Sequence, residues 1–242
     1  ALAGARGDFS RFAQFISSVV CGGENVVAES RLLNSSLASF AGLLLISTGF
    51  YMLFLRSQPN NLSYVPILFL TIVACVAAMF SYFHSACYRT NLSCTNGMMV
   101  GMTLGMMPGL MVGAILGATN GMFVGSTAGM LFGMGLGFKL GKYGGVMGAM
   151  EGLMAGIMAG TMGAMLSVMM LRDNLILFLS ILFLSCSVVV AGLSYMLYRE
   201  QGAAPSENLA VDGKMFFLYS LIMFILMVAI IFAGPKSALV YP

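Results

Sequence analysis

Charge is the scarce ingredient of this chain. Of its 242 residues only 8% are Asp, Glu, Lys or Arg, tryptophan is absent and histidine occurs once. A soluble domain carries roughly 25% charged residues, so a water-soluble globule of this size could not cover its own core. A disordered chain is excluded as well, because it needs low hydrophobicity and many charges. The five cysteines, Cys21, Cys75, Cys87, Cys94 and Cys186, have neither the even count nor the density of a disulfide scaffold. The 11 Lys+Arg and 8 Asp+Glu are dispersed along the chain, which leaves no basic patch for nucleic acid. The one histidine adjoins no Asp or Glu, so no Ser/His/Asp or Cys/His catalytic set can be drawn, and no enzymatic activity is expected.

What is plentiful is apolar. Hydrophobic residues make up 60% of the chain, with 30 glycines and 23 methionines, and the mean hydropathy is +0.97. The glycines do not recur every third residue, so collagen is excluded. The composition implies an all-α fold, a polytopic transmembrane helical bundle. Cutting at charges and turn residues gives seven apolar segments, at 37–55, 62–83, 97–117, 121–138, 145–170, 175–198 and 215–233. Each is near the roughly 17–25 residues that cross a bilayer as helix, and helix is the default because lipid offers no partner for free backbone groups. Residues 31–242 are read as one transmembrane domain. In residues 1–30, Phe9, Phe12, Phe15, Ile16, Val19 and Val20 recur at helical spacing, with Arg6, Arg11 and Gln14 elsewhere on the wheel. That pattern predicts an amphipathic helix lying in the membrane interface.

With seven spans, Arg6, Arg11, Arg31, Arg89, Lys139, Lys142, Arg199 and Lys214 share one side, and Arg56, Arg172 and Lys236 the other. This asymmetry predicts an amino terminus on the cytoplasm-equivalent side and a carboxyl terminus opposite. The count depends on the short fourth segment crossing fully.

From Gly97 to Gly145 glycine occupies every fourth position, thirteen times in succession, and after a slip of three it resumes at Gly148, Gly152, Gly156 and Gly160. Small residues at this spacing let helix backbones touch, which drives association in lipid. An isolated glycine costs a helix about 1 kcal/mol relative to alanine, so this density suits a helix only where the backbone has no water to turn to. A glycine-zipper core is therefore expected from the third to fifth segments. Its packing positions would be Gly101, Gly105, Gly109, Gly113, Gly125, Gly129, Gly133, Gly152 and Gly156. A period above 3.6 favours right-handed crossings, and Pro108 is expected to kink the third segment.

Methionine accompanies the glycines, with 17 of the 23 lying between 98 and 170. Flexible thioethers can fill the grooves that glycines leave. They can also form a track for a soft cation such as Cu(I), with Met150, Met154 and Met158 as its ladder and His84, Cys87 and Cys94 at its entrance. His84 and Cys87 stand one turn apart, in or beside the loop after the second segment, but the spacing matches no strong zinc signature. Glu151 is the only carboxylate well inside a predicted span. Such acids face a bundle interior or a water path, or this one lies near the headgroups and pairs with Lys142 or Lys139. Gly137 to Lys142 is one residue short of a phosphate loop, and Tyr143 stands where Ser or Thr is required.

The run Gly97-Met98-Met99-Val100-Gly101-Met102-Thr103-Leu104-Gly105-Met106, with Thr119-Asn120-Gly121-Met122-Phe123 and the stretch from Gly148 to Gly156, resembles a Gly/Met-repeat membrane domain of microbial membrane proteins. Some of those proteins carry cupredoxin modules. The resemblance covers about 97–173. MxxxM beside GxxxG is also similar in composition to copper-uptake trimers of the Ctr type, which have three spans. Two roles are therefore expected. One is a non-catalytic accessory subunit that packs against other membrane subunits, or copies of itself, in the bilayer. The other is a Cu(I) transporter or metal-loading protein.

Overall fold

The computed structural model describes residues 27–51, 64–87, 94–201 and 213–234. These form seven α-helices and, among the described residues, no strand. They are α1 (Val27–Phe50), α2 (Tyr64–Cys87), α3 (Cys94–Asn120), α4 (Met122–Gly141), α5 (Gly145–Met169), α6 (Leu175–Gln201) and α7 (Gly213–Ala233). Short 3-10 turns follow α4 at Lys142–Gly144 and α5 at Met170–Arg172. Among the described residues five apolar stretches are long enough to cross a bilayer: Val65–Ala86, Thr95–Asn120, Met122–Met169 (which holds both α4 and α5), Leu175–Leu197 and Gly213–Phe232. The chain therefore fits an integral membrane protein. The apolar part of α1, Asn34–Phe50, falls short of that length.

Several helix ends differ from those predicted. α1 begins at Val27, inside the segment assigned to the interface; residues 1–26 and 52–55 lie outside the described residues. α3 starts three residues earlier than expected and continues through Pro108 to Asn120, so Thr119 and Asn120 are helical. The turn is confined to Gly121, whose φ of 96° suits a residue without a Cβ. α4 passes Lys139 and reaches Gly141. These differences share one cause. The expected segments end at charges and turn residues, whereas a helix stops only when its backbone bonding is interrupted, and neither Lys139 nor Asn120 does that.

The glycines explain how α3, α4 and α5 assemble. A Cβ built on Gly125 would lie 2.6 Å from the Cα of Gly117, and one on Gly129 would lie 2.8 Å from the Cα of Gly113. Numbers rising on α4 as they fall on α3 make that pair antiparallel. Gly137 meets Gly152, and Gly133 meets Gly156, so α4 and α5 are antiparallel too. Gly101, Gly105 and Gly113 of α3 face the carbonyl oxygens of Gly148, Gly152 and Gly160, each 2.6–2.7 Å from a built Cβ. α3 and α5 thus run parallel. At each of these places the missing methyl is what lets two backbones touch.

Larger side chains hold α1, α2, α6 and α7 around α3. Leu43, Ile72, Met111, Phe183, Phe216 and Met227 belong to one buried cluster joining them. The Phe83 ring lies 5.4 Å from the Phe216 ring, linking α2 to α7, and the Ser39 hydroxyl meets that of Ser220 at 3.1 Å between α1 and α7. Other hydroxyls bond their own helix, as Thr71 does to the Ile67 carbonyl (2.8 Å) and Ser81 to that of Ala77 (2.6 Å). Such bonding satisfies a polar group where lipid cannot.

Candidate functional site

The second half of α3 is enclosed: every residue from Met111 to Asn120 is buried, whereas Met99 and Met102 nearer its start are exposed. α5 is not enclosed. It packs on α3, α4 and the two short turns beside it, and its opposite side is uncovered by the described residues. The glycines and alanines of α5 point inward, with Gly148, Gly152, Ala155, Gly156, Ala159, Gly160, Gly163 and Ala164 buried. The long side chains point outward. Met150, Met154, Met158, Met162 and Met165 are each about half exposed. The four-residue period thus sorts the helix into a smooth inner face and a thioether-rich outer face.

This geometry bears on each candidate residue. Met150, Met154 and Met158 share one face, as their spacing implied, but among the described residues that face lies on the outside and lines no path through the glycine-rich helices. Glu151 is exposed on the same face. Neither lysine expected beside it is turned toward it: Lys139 Nζ stands over the Tyr82 ring at 5.8 Å and Lys142 Nζ over the Tyr143 ring at 5.4 Å.

His84 is not in a loop. It is buried in the last turn of α2, its ring 5.9 Å from that of Phe80. The helix runs past it because nothing from Ser85 to Cys87 interrupts the backbone bonding. Cys87 ends α2 and Cys94 begins α3; their side chains lie outside what is described. Among the described residues no three His, Cys, Asp or Glu side chains converge as a metal-binding group. Of the nine glycines expected to pack, all have backbone or alanine atoms of a neighbouring helix within 3.3 Å of a built Cβ.

Two features escaped the sequence reading. One is Asn120, fully buried, whose side-chain amide donates to the Ile230 carbonyl of α7 at 2.8 Å. Asparagine before glycine reads as a turn, which hides its role as a tie. The other is an apolar cleft of about 310 Å³ between α1, α2 and α6, lined by Phe40, Val73, Ala77, Phe80, Ser187 and Val190. Nothing in local spacing announces it, because its walls come from three distant segments.

No protein-family model matches the sequence, and no curated protein or solved structure matches it either.

Proposed function

We propose that the chain is a non-catalytic integral membrane subunit that docks other membrane helices on the outer face of α5 within a larger assembly. The observation that carries this reading is the separation of α5 into a glycine side, used up inside the chain, and an uncovered side of flexible thioethers interrupted by one carboxylate. Lipid contact needs no methionine ladder, and a lone acid is costly there. Methionine-rich surfaces adapt to partner helices. We further read α3, α4 and α5 as a glycine zipper. We propose seven crossings, one for each of the seven apolar segments of the sequence, with α4 and α5 each crossing once. On that topology the amino terminus faces the cytoplasm-equivalent side.

Purification from native membranes in mild detergent, with sizing and mass spectrometry, tests the role. The expected result is a complex larger than one chain that carries no stoichiometric copper. A lone chain in lipid would overturn it.

Cu(I) handling is the second reading, favoured by the outward alignment of Met150, Met154 and Met158. Thioethers on a single outer face would need donors from beyond the chain to complete a soft-metal site. Stoichiometric copper that disappears when these three residues become leucine would establish it in place of the first.

A further inference from the structure

We infer that the partner of this face is a second copy of the chain, with α5 of one copy seated against α4 of the next at the same membrane depth. The inference rests on the docking reading and names its occupant. It starts from register. Gly137 touches Gly152 and Gly133 touches Gly156, so the depths of residues on the antiparallel α4 and α5 are locked together. Gly135 is then level with Met154, Leu131 with Met158, and Lys139 with Met150. Lys139 consequently lies within one residue's rise, roughly 1.5 Å, of the depth of Glu151.

Among the described residues nothing covers either face. On α4 the residues at four-residue spacing, Thr127, Leu131, Gly135 and Lys139, are all exposed, as are Glu151 and Met154 on α5. Within one chain the acid and the base diverge, since Lys139 Nζ is directed toward Tyr82 of α2. A carboxylate on an apolar membrane face needs a counter-charge. Copies embedded in the same orientation share one depth scale, so a neighbour's Lys139 arrives at the level of Glu151. Shape agrees with charge. Gly135 has no atom within 4 Å of a built Cβ, which leaves a notch on α4 at the depth of Met154, whose flexible side chain can fill it. The two faces differ, so the contact is heterologous and, repeated, closes into a ring or extends as a row.

The test uses the full chain in lipid vesicles, with differently tagged copies co-expressed. Gly135→Cys in one copy and Met154→Cys in the other should form an intermolecular disulfide. Met154→Cys paired with Leu184→Cys, on the exposed side of α6, should not. Glu151→Lys or Lys139→Glu alone should weaken self-association, measured by energy transfer between labelled copies, by about tenfold or more. The doubly reversed chain should regain it, which separates a lost pair from a misfolded variant. A wild-type chain that stays monomeric at every protein-to-lipid ratio would overturn the inference, as would equal cross-linking in the control pair or no rescue by the double reversal. If native complexes contain other membrane proteins but only one copy of this chain, the self-contact fails and the docking reading survives. A bare monomer defeats both.

Discussion

The Asn120 side-chain amide donates to the backbone carbonyl of Ile230 at 2.8 Å, joining residues 110 positions apart. Asn120 ends α3, where the glycine-rich hairpin turns at Gly121, and Ile230 lies in the last turn of α7. The Thr119 hydroxyl lies 2.8 Å from Asn120 Oδ1 and 3.0 Å from the Ile115 carbonyl, with one proton to give. Gly234 completes the site, because a Cβ there would stand 2.5 Å from Asn120 Nδ2. One amide thus fastens the last helix to the turn of the glycine-rich core.

Asn120→Ala should therefore lower stability by about 0.5–2 kcal/mol, the range of a hydrogen bond between membrane helices. Gly234→Ala should shift it in the same direction by crowding the amide. Reversible unfolding in mixed micelles measures both. A neutral Asn120→Ala would mean that the bond is formed equally well by water in the unfolded state.

Gly133 and Gly135 lie two residues apart on α4 and should respond oppositely to one added methyl. At Gly133 it would stand 2.8 Å from the Gly105 carbonyl oxygen and 3.0 Å from the Gly156 Cα. Backbones on two helices would have to separate, at roughly 1–3 kcal/mol. At Gly135 nothing lies within 4 Å, and alanine is the better helix former by about 1 kcal/mol. Gly133→Ala should lower the unfolding midpoint and Gly135→Ala should hold or raise it, by the same micelle assay on the isolated chain.

A parallel contrast separates the methionines. Met111 is 1% exposed and Met154 is 59% exposed. Truncating Met111 to alanine leaves a cavity, and the cost should fall toward the low end of the roughly 2–5 kcal/mol typical of buried sites. Lipid is about as apolar as the core, so only the lost packing counts. Met154→Ala should stay within about 0.5 kcal/mol, as surface changes do. A large loss of stability for Met154→Ala in the lone chain would place that side chain in the interior.

Much of the candidate surface is legible in the sequence. Met150, Met154 and Met158 fall on one face because four residues advance a helix by little more than a full turn. What spacing could not tell was which way the face pointed. The same argument that predicts contact for Gly152 and Gly156 would allow the thioethers to line a channel between helices. The expected segment end at Phe83 falls short for a related reason: a titratable residue such as His84 reads as a boundary until its neighbours are seen to enclose it.

Composition and short-range spacing suffice to make the chain helical and suited to lipid, to locate its apolar stretches, and to segregate glycines from methionines around the helix. Each follows from composition or from a period only a few residues long. Only three-dimensional packing sets α3 parallel to α5 and antiparallel to α4, encloses the second half of α3 while the described residues leave one side of α5 open, and brings Asn120 to Ile230. Those outcomes depend on how surfaces far apart along the chain share a limited volume, and no local pattern encodes which neighbour each will meet.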